Sequence, residues 1–262
     1  MWNRIDGANL NVVSVEPVME RPLGVLEFFR ERLKFFPDEA QQEVIAALGE
    51  NIILNCTRQW GKTSLIAGML YYEALSKPET LYLIVSPAVR QGAELLRKAA
   101  KLVRADGIRV RGDGIHAQSI LLPNGSRIVA IPSVDATSRG YSAVSVLVME
   151  EASQVPELAY DTLRPTLAVS GGRTWLLSTP FGKRGFFWKE WAHGGDEWER
   201  FEVKAEDCPR IPKKFLEGEL RRHGRGWMNQ EYGCVFAAPI GVLFSEELLE
   251  GAIVTDGKES PL

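Results

Sequence analysis

A chain of 262 residues, 45% hydrophobic and 25% charged, is long enough to bury one sizeable core and is too apolar for an intrinsically disordered protein. Lysine plus arginine (31) nearly balances aspartate plus glutamate (34), so a net charge of −3 neither points to nor excludes a polyanionic partner, and charge has to be read by segment. Cys56, Cys208 and Cys234 are an odd, widely spaced set that argues against a disulfide framework; with no run near the ~18 apolar residues of a membrane span, a cytoplasmic protein without a membrane partner is expected.

The first twenty residues lack the apolar core of a signal peptide. Residues 23 to 34 (LGVLEFFRERLK) then carry apolar positions at helical spacing, and Asp38 with Gln41 resembles a capping box opening a helix to about Leu48. From there short apolar runs alternate with helical stretches. Residues 52 to 55 (IILN) precede a helix over 62 to 76, and 81 to 86 (LYLIVS) precede one over 88 to 105. Residues 146 to 149 (VLVM) precede one over about 157 to 169, and 174 to 178 (TWLLS) precede one over about 185 to 192.

Near-continuous apolar strands separated by helices predict a mostly parallel central sheet flanked by helices, an α/β fold. Asn124-Gly125, between two strand-like runs, predicts a hairpin that extends one edge antiparallel. After about residue 204 proline, charge and helical pattern replace the strands. The expected division is a core with an N-terminal helical extension over 1 to 203 and a small helical lid subdomain with a linker over 204 to 262.

The segment with most to say about function is NIILNCTRQWGKTSLIAGML, residues 51 to 70. A P-loop follows a strand, wraps a phosphate in backbone N–H groups and aims a helix N-terminus at it; its lysine reaches the β and γ phosphates and its hydroxyl holds magnesium. Gly61, Lys62, Thr63 and Ser64 supply that end of the motif directly after an apolar run, although Cys56 stands where GxxxxGKS/T has its first glycine. ATP and Mg2+ are therefore the expected ligands.

The same chemistry needs a carboxylate for the metal and a second to orient water. SVLVMEEAS offers Glu150 and Glu151 after an apolar strand, with Glu150 where aspartate is usual, so that its longer arm would hold the metal from farther back or through water. Two solvated glutamates capping a helix would leave the same letters. In WLLSTP, Ser178 and Thr179 end the next apolar strand, where ligands of open α/β sheets gather. Arg58 in the loop and Arg139 upstream of the paired acids are candidates for a guanidinium that neutralises transition-state charge.

In that order, CTRQWGKTS, VLVMEE and LLSTP, preceded by a glutamine near FPDEAQQEVI, resemble the ATPase domain of the large terminase subunit of tailed bacteriophages. The likeness covers about residues 37 to 180 well and the tail loosely; the family loop commonly reads Arg-Gln-x-Gly-Lys-Thr, which Arg58, Gln59, Trp60, Gly61, Lys62 and Thr63 match. The resemblance implies a RecA-like P-loop NTPase of the ASCE type that hydrolyses ATP to translocate double-stranded DNA into a procapsid, working in the host cytoplasm as a homo-oligomeric ring with portal and small terminase subunit. It implies that Gln41 or Gln42 reads the adenine edge, that Thr63 and Glu150 hold magnesium, that Glu151 activates water, and that Ser178-Thr179 couple the site to movement. Arg139 is the preferred arginine finger and Arg58 the runner-up. Full-length relatives carry a C-terminal nuclease, so an ATPase without nuclease activity is expected of this chain.

DNA movement requires clustered cations without sequence readout. Residues 90 to 111 hold seven basic residues against Glu94 and Asp106, and residues 204 to 226 hold seven against four acids, whereas 245 to 262 hold five acids and Lys258. Two other readings stay open: a helicase-like or repair ATPase, which would need a second RecA-like lobe, and a non-hydrolysing nucleotide-gated assembly module.

Overall fold

The computed structural model describes residues 23–116, 118–136 and 140–237. Its strands are Asn51–Cys56 (β1), Leu81–Ser86 (β2), Ser119–Leu121 (β3), Arg127–Pro132 (β4), Val144–Glu150 (β5), Arg173–Ser178 (β6) and Trp198–Val203 (β7). They form one sheet in the order β3-β4-β2-β5-β6-β1-β7, with every neighbouring pair parallel except β3 with β4. The helices are Val25–Glu27 (α1), Glu39–Ala46 (α2), Lys62–Ser76 (α3), Val89–Ala105 (α4), Glu157–Leu163 (α5), Gly185–His193 (α6) and Lys213–Glu231 (α7).

The apolar runs are buried on both faces because successive side chains enter different layers. Ile52, Leu54, Val146, Val148, Trp175 and Leu177 share one core with Leu65 and Ile66 of α3 and Leu95 of α4. Ile53, Leu147, Met149 and Leu176 share the other with Tyr160 of α5 and Phe186 and Phe187 of α6. Each fully buried aliphatic side chain of this kind contributes about 1.5–3 kcal/mol. The alternation also has a functional consequence. Val146 and Val148 face α3, so the next even position, Glu150, enters the α3 layer at the carboxyl end of β5.

The capping box forms as expected: Gln41 N donates to Asp38 Oδ1 at 2.9 Å, and Asp38 N donates to Gln41 Oε1 at 3.1 Å. The hairpin at Asn124-Gly125 also forms, with β3 as the antiparallel edge. Three expectations need correction. The helix over 23 to 34 is α1 followed by a π turn over Phe28–Arg32. The helix expected over 157 to 169 ends at Leu163 and tightens into a 3-10 turn over Arg164–Leu167, where Pro165 has no N–H to continue an α-helical ladder.

The third correction is β7, a strand where the sequence pattern predicts none. Its sequence WERFEV places Glu199, Arg200 and Glu202 on an edge strand with one open side, so it lacks the continuous apolar signal of its neighbours. Beyond it, α7 is interrupted at Gly224, whose φ of 78° and ψ of 174° only glycine adopts readily. The chain then returns to the sheet. Ala205 N donates to Tyr232 O at 2.8 Å, and Asn55 Nδ2 at the end of β1 donates to Cys234 O at 2.8 Å.

Candidate nucleotide site

The loop between β1 and α3 turns at Gln59 (φ 63°) and Gly61 (φ 102°), both left-handed. At Gly61 a side chain would be strained by that φ and would sit 3.3 Å from Gln41 Nε2. Cys56 lies before the turn, still in the extended strand and fully buried against the α3 layer. Burial pushes its thiol up to about 12, with Lys62 acting in the opposite direction, so it is a neutral apolar plug beneath the loop. The missing first glycine therefore falls where the chain does not need one.

No side chain caps α3 at Gly61, which leaves its first-turn N–H groups and positive end facing the loop. Lys62 is buried, and its Nζ lies 3.5 Å from Glu151 Oε1. Burial works against the Lys62 charge, but the Glu151 and Glu150 carboxylates beside it favour the charge and hold it protonated above its ordinary range. Thr63 Oγ1 donates to Glu150 Oε1 at 3.1 Å. The longer arm of glutamate therefore reaches the P-loop hydroxyl directly.

The other Glu150 oxygen, Oε2, is buried without a hydrogen-bond partner. Burial raises the Glu150 carboxyl to about 7; Glu151 adds to the shift, while Lys62, Thr63 and Lys98 oppose it. An unsatisfied buried carboxylate oxygen beside a hydroxyl at a phosphate-binding loop fits Mg2+, which takes one or two protein oxygens and fills its octahedron with phosphate and water. No group of three or more His, Cys, Asp or Glu side chains able to hold a metal occurs among the described residues, so an all-protein cage is not what this site offers.

Glu151 leaves the strand in a left-handed conformation (φ 53°, ψ 48°), which turns its carboxylate away from the β5 line and towards Lys62. Ser178 ends β6, the strand lying between β1 and β5. Its alternation partners Trp175 and Leu177 face α3, and Ser178 accordingly meets the opposite side, where Ser153 Oγ lies at 2.7 Å and Ser153 N donates to it at 3.2 Å. It ties the end of β6 to the turn after Glu150-Glu151. Thr179 follows it and is buried.

Gln41 is buried and stays with the loop, donating from Nε2 to Trp60 O at 3.4 Å, whereas Gln42 donates to Pro37 O at 3.0 Å and accepts from Arg30 at 3.4 Å. Of the two glutamines only Gln41 contacts the loop. Arg58 is 64% exposed, and its Nε pairs with Glu231 Oε2 at 2.7 Å, at the far end of α7. Arg139 lies outside the described residues.

Several participants escaped the sequence. Arg210 clasps the loop from the C-terminal side, donating to Trp60 O and pairing with Asp38 Oδ2 at 2.8 Å. Glu231 holds Arg58, and Lys98 of α4 donates to Ser64 Oγ at 3.0 Å. None stands in a local motif. Each is brought in by chain closure from a distant segment.

No protein-family model and no curated protein matches the chain. Solved structures do. The large terminase ATPase domain of Thermus phage P74-26 matches with a TM-score of 0.70 at 17% identity, over 83% of this chain and 100% of that one. This is the fold of a large-terminase ATPase domain. The large terminase of the thermophilic bacteriophage D6E in complex with ADP matches with a TM-score of 0.63 at 13% identity, over 77% of this chain and 54% of that one. The HK97 bacteriophage large terminase matches with a TM-score of 0.58 at 18% identity, over 73% and 46%. The chain thus spans about half the length of the D6E and HK97 proteins. The terminase ATPase fold is a RecA-like P-loop architecture, and its strand order sets the Lys62 loop and the Glu150-Glu151 pair on either side of β6.

Proposed function

We propose that this chain is an ATP-hydrolysing motor domain that moves double-stranded viral DNA. The observation carrying the proposal is the convergence, at the carboxyl ends of β1 and β5, of Lys62, Thr63, Glu150 and Glu151 around the uncapped N-terminus of α3. Backbone N–H groups of the loop and the Lys62 ammonium would take the β and γ phosphates of ATP. Mg2+, held by Thr63 and Glu150, would supply charge neutralisation there. Glu151, released from Lys62 as phosphate takes that charge, orients the attacking water.

The contact between Arg58 and Glu231 supports a coupling route. When phosphate competes for the Arg58 guanidinium, the bond to α7 breaks and the C-terminal segment is freed on that side. Arg139, as an arginine finger acting on a neighbouring subunit's site, is assigned on the terminase likeness alone. The ring, the portal and small-subunit partners and the setting in the host cytoplasm belong to the same proposal and rest on the terminase likeness. So do the lid boundary near residue 204 and adenine recognition by Gln41.

Phosphate release by Glu151→Gln tests the enzymatic core. Turnover is expected to fall by roughly 10²- to 10⁴-fold with ATP binding retained. Unchanged turnover would remove Glu151 from the reaction, and a wild-type protein that binds ATP without hydrolysing it would favour the gated assembly module instead.

A further inference from the structure

We infer that the outer face of α4 is the surface that grips the duplex backbone, an assignment that rests on the DNA-motor reading above. Arg90, Arg97, Lys101 and Arg104 are all exposed. At 3.6 residues per turn they fall within about 60° of one another, a single stripe about 21 Å long, against the ~34 Å of one duplex turn. The opposite face of the helix anchors it rigidly: Leu95, Leu96, Ala99, Ala100 and Val103 are buried in the α3-side core.

The stripe carries little counter-charge. Glu94 is engaged by Arg97, and the acid at the helix end, Asp106, is turned inward to Arg32 at 2.5 Å and to Tyr71. Among the described residues Arg90, Lys101 and Arg104 form no ion pair, and exposed Arg109 and Arg111 continue the positive charge beyond the helix. Four exposed cations in line, on a stiff support and without an aromatic or amide group among them, suit repeated phosphates and no particular base sequence.

The other basic run does not make such a surface. On α7, Lys213, Lys214, Arg221 and Arg222 are spread over about half the helix circumference with Glu217 among them, and Gly224 breaks the axis. The α4 stripe also has a direct line to the nucleotide site. Lys98, next to Arg97, holds Ser64, which follows the Thr63 hydroxyl. A pull on α4 is thereby felt at the loop that would hold ATP.

The test is fluorescence anisotropy of the full chain with a labelled 30-bp duplex of arbitrary sequence across a series of KCl concentrations, alongside basal ATP turnover. The variant Arg90→Gln/Arg97→Gln/Lys101→Gln/Arg104→Gln should reduce the slope of log affinity against log salt by roughly 3 to 4, about 0.9 for each phosphate no longer neutralised. Basal turnover should be unchanged. The companion variant Lys213→Gln/Lys214→Gln/Arg221→Gln/Arg222→Gln should keep the wild-type slope. Wild-type binding that the α4 variant leaves intact, or that the α7 variant abolishes instead, overturns the assignment and leaves the motor reading standing. A wild-type chain that hydrolyses ATP but binds no duplex at any salt overturns both.

Discussion

Removing Glu231 should tighten ATP binding, and the size of the effect follows from exposure. Arg58 and Glu231 meet at 2.7 Å, but the Arg58 side chain is 64% exposed, so the pair belongs with surface ion pairs contributing about 0.2–1 kcal/mol. If Arg58 has to leave Glu231 to meet phosphate, that is the free energy by which the clasp weakens ATP binding. Glu231→Gln is then expected to lower the Kd for ATP by roughly 1.4- to 5-fold at low salt. Near 1 M salt, where the Debye length is about 3 Å, the gain should disappear. Titration with a fluorescent ATP analogue measures it, repeated in an Arg58→Ala background. There the Glu231 substitution should have no effect. An equal gain in both backgrounds, or weaker binding in Glu231→Gln, would refute the competition.

Two further outcomes are expected. Mixing Arg139→Ala subunits with Lys62→Ala subunits should partly restore phosphate release, since each would supply what the other lacks; mixed assemblies without recovery would place Arg139 in its own subunit's site. Asp113 governs acid sensitivity at the β3 edge. Burial acts to raise its pKa, but bonds from the His116 and Ile115 backbone, the His116 ring and the Ser119 hydroxyl prevail and hold it below its ordinary 3.8. A depressed carboxyl contributes stability that is present above the unfolded value and lost as pH falls through the folded one. Urea denaturation should therefore show stability declining below about pH 4, and Asp113→Asn should flatten that decline; an unaltered decline would contradict it.

What is legible in the letters follows from what is local. The paired apolar strands and helices can be read because burial on both faces leaves continuous apolar runs such as LYLIVS and VLVM. The side of the sheet to which each acid or hydroxyl belongs is also available from parity: Val146 and Val148 fix Glu150 on the α3 face, and Trp175 and Leu177 fix Ser178 on the other. Strand β7 is hidden because its edge position tolerates charge at Glu199, Arg200 and Glu202. Arg210, Glu231 and Lys98 are hidden for another reason. Their roles depend on segments far apart in the chain coming together, 150 positions in the case of Arg210 and Trp60, and no spacing rule encodes that.

A structure with a non-hydrolysable ATP analogue and magnesium tests the central claim most directly. The phosphates should lie at the N-terminus of α3 on Lys62, with the metal on Thr63 and Glu150 Oε2, Glu151 freed from Lys62, and Arg58 turned from Glu231 to phosphate. Nucleotide bound elsewhere, or bound here with Glu150 still capping Thr63 and no metal between them, would contradict it.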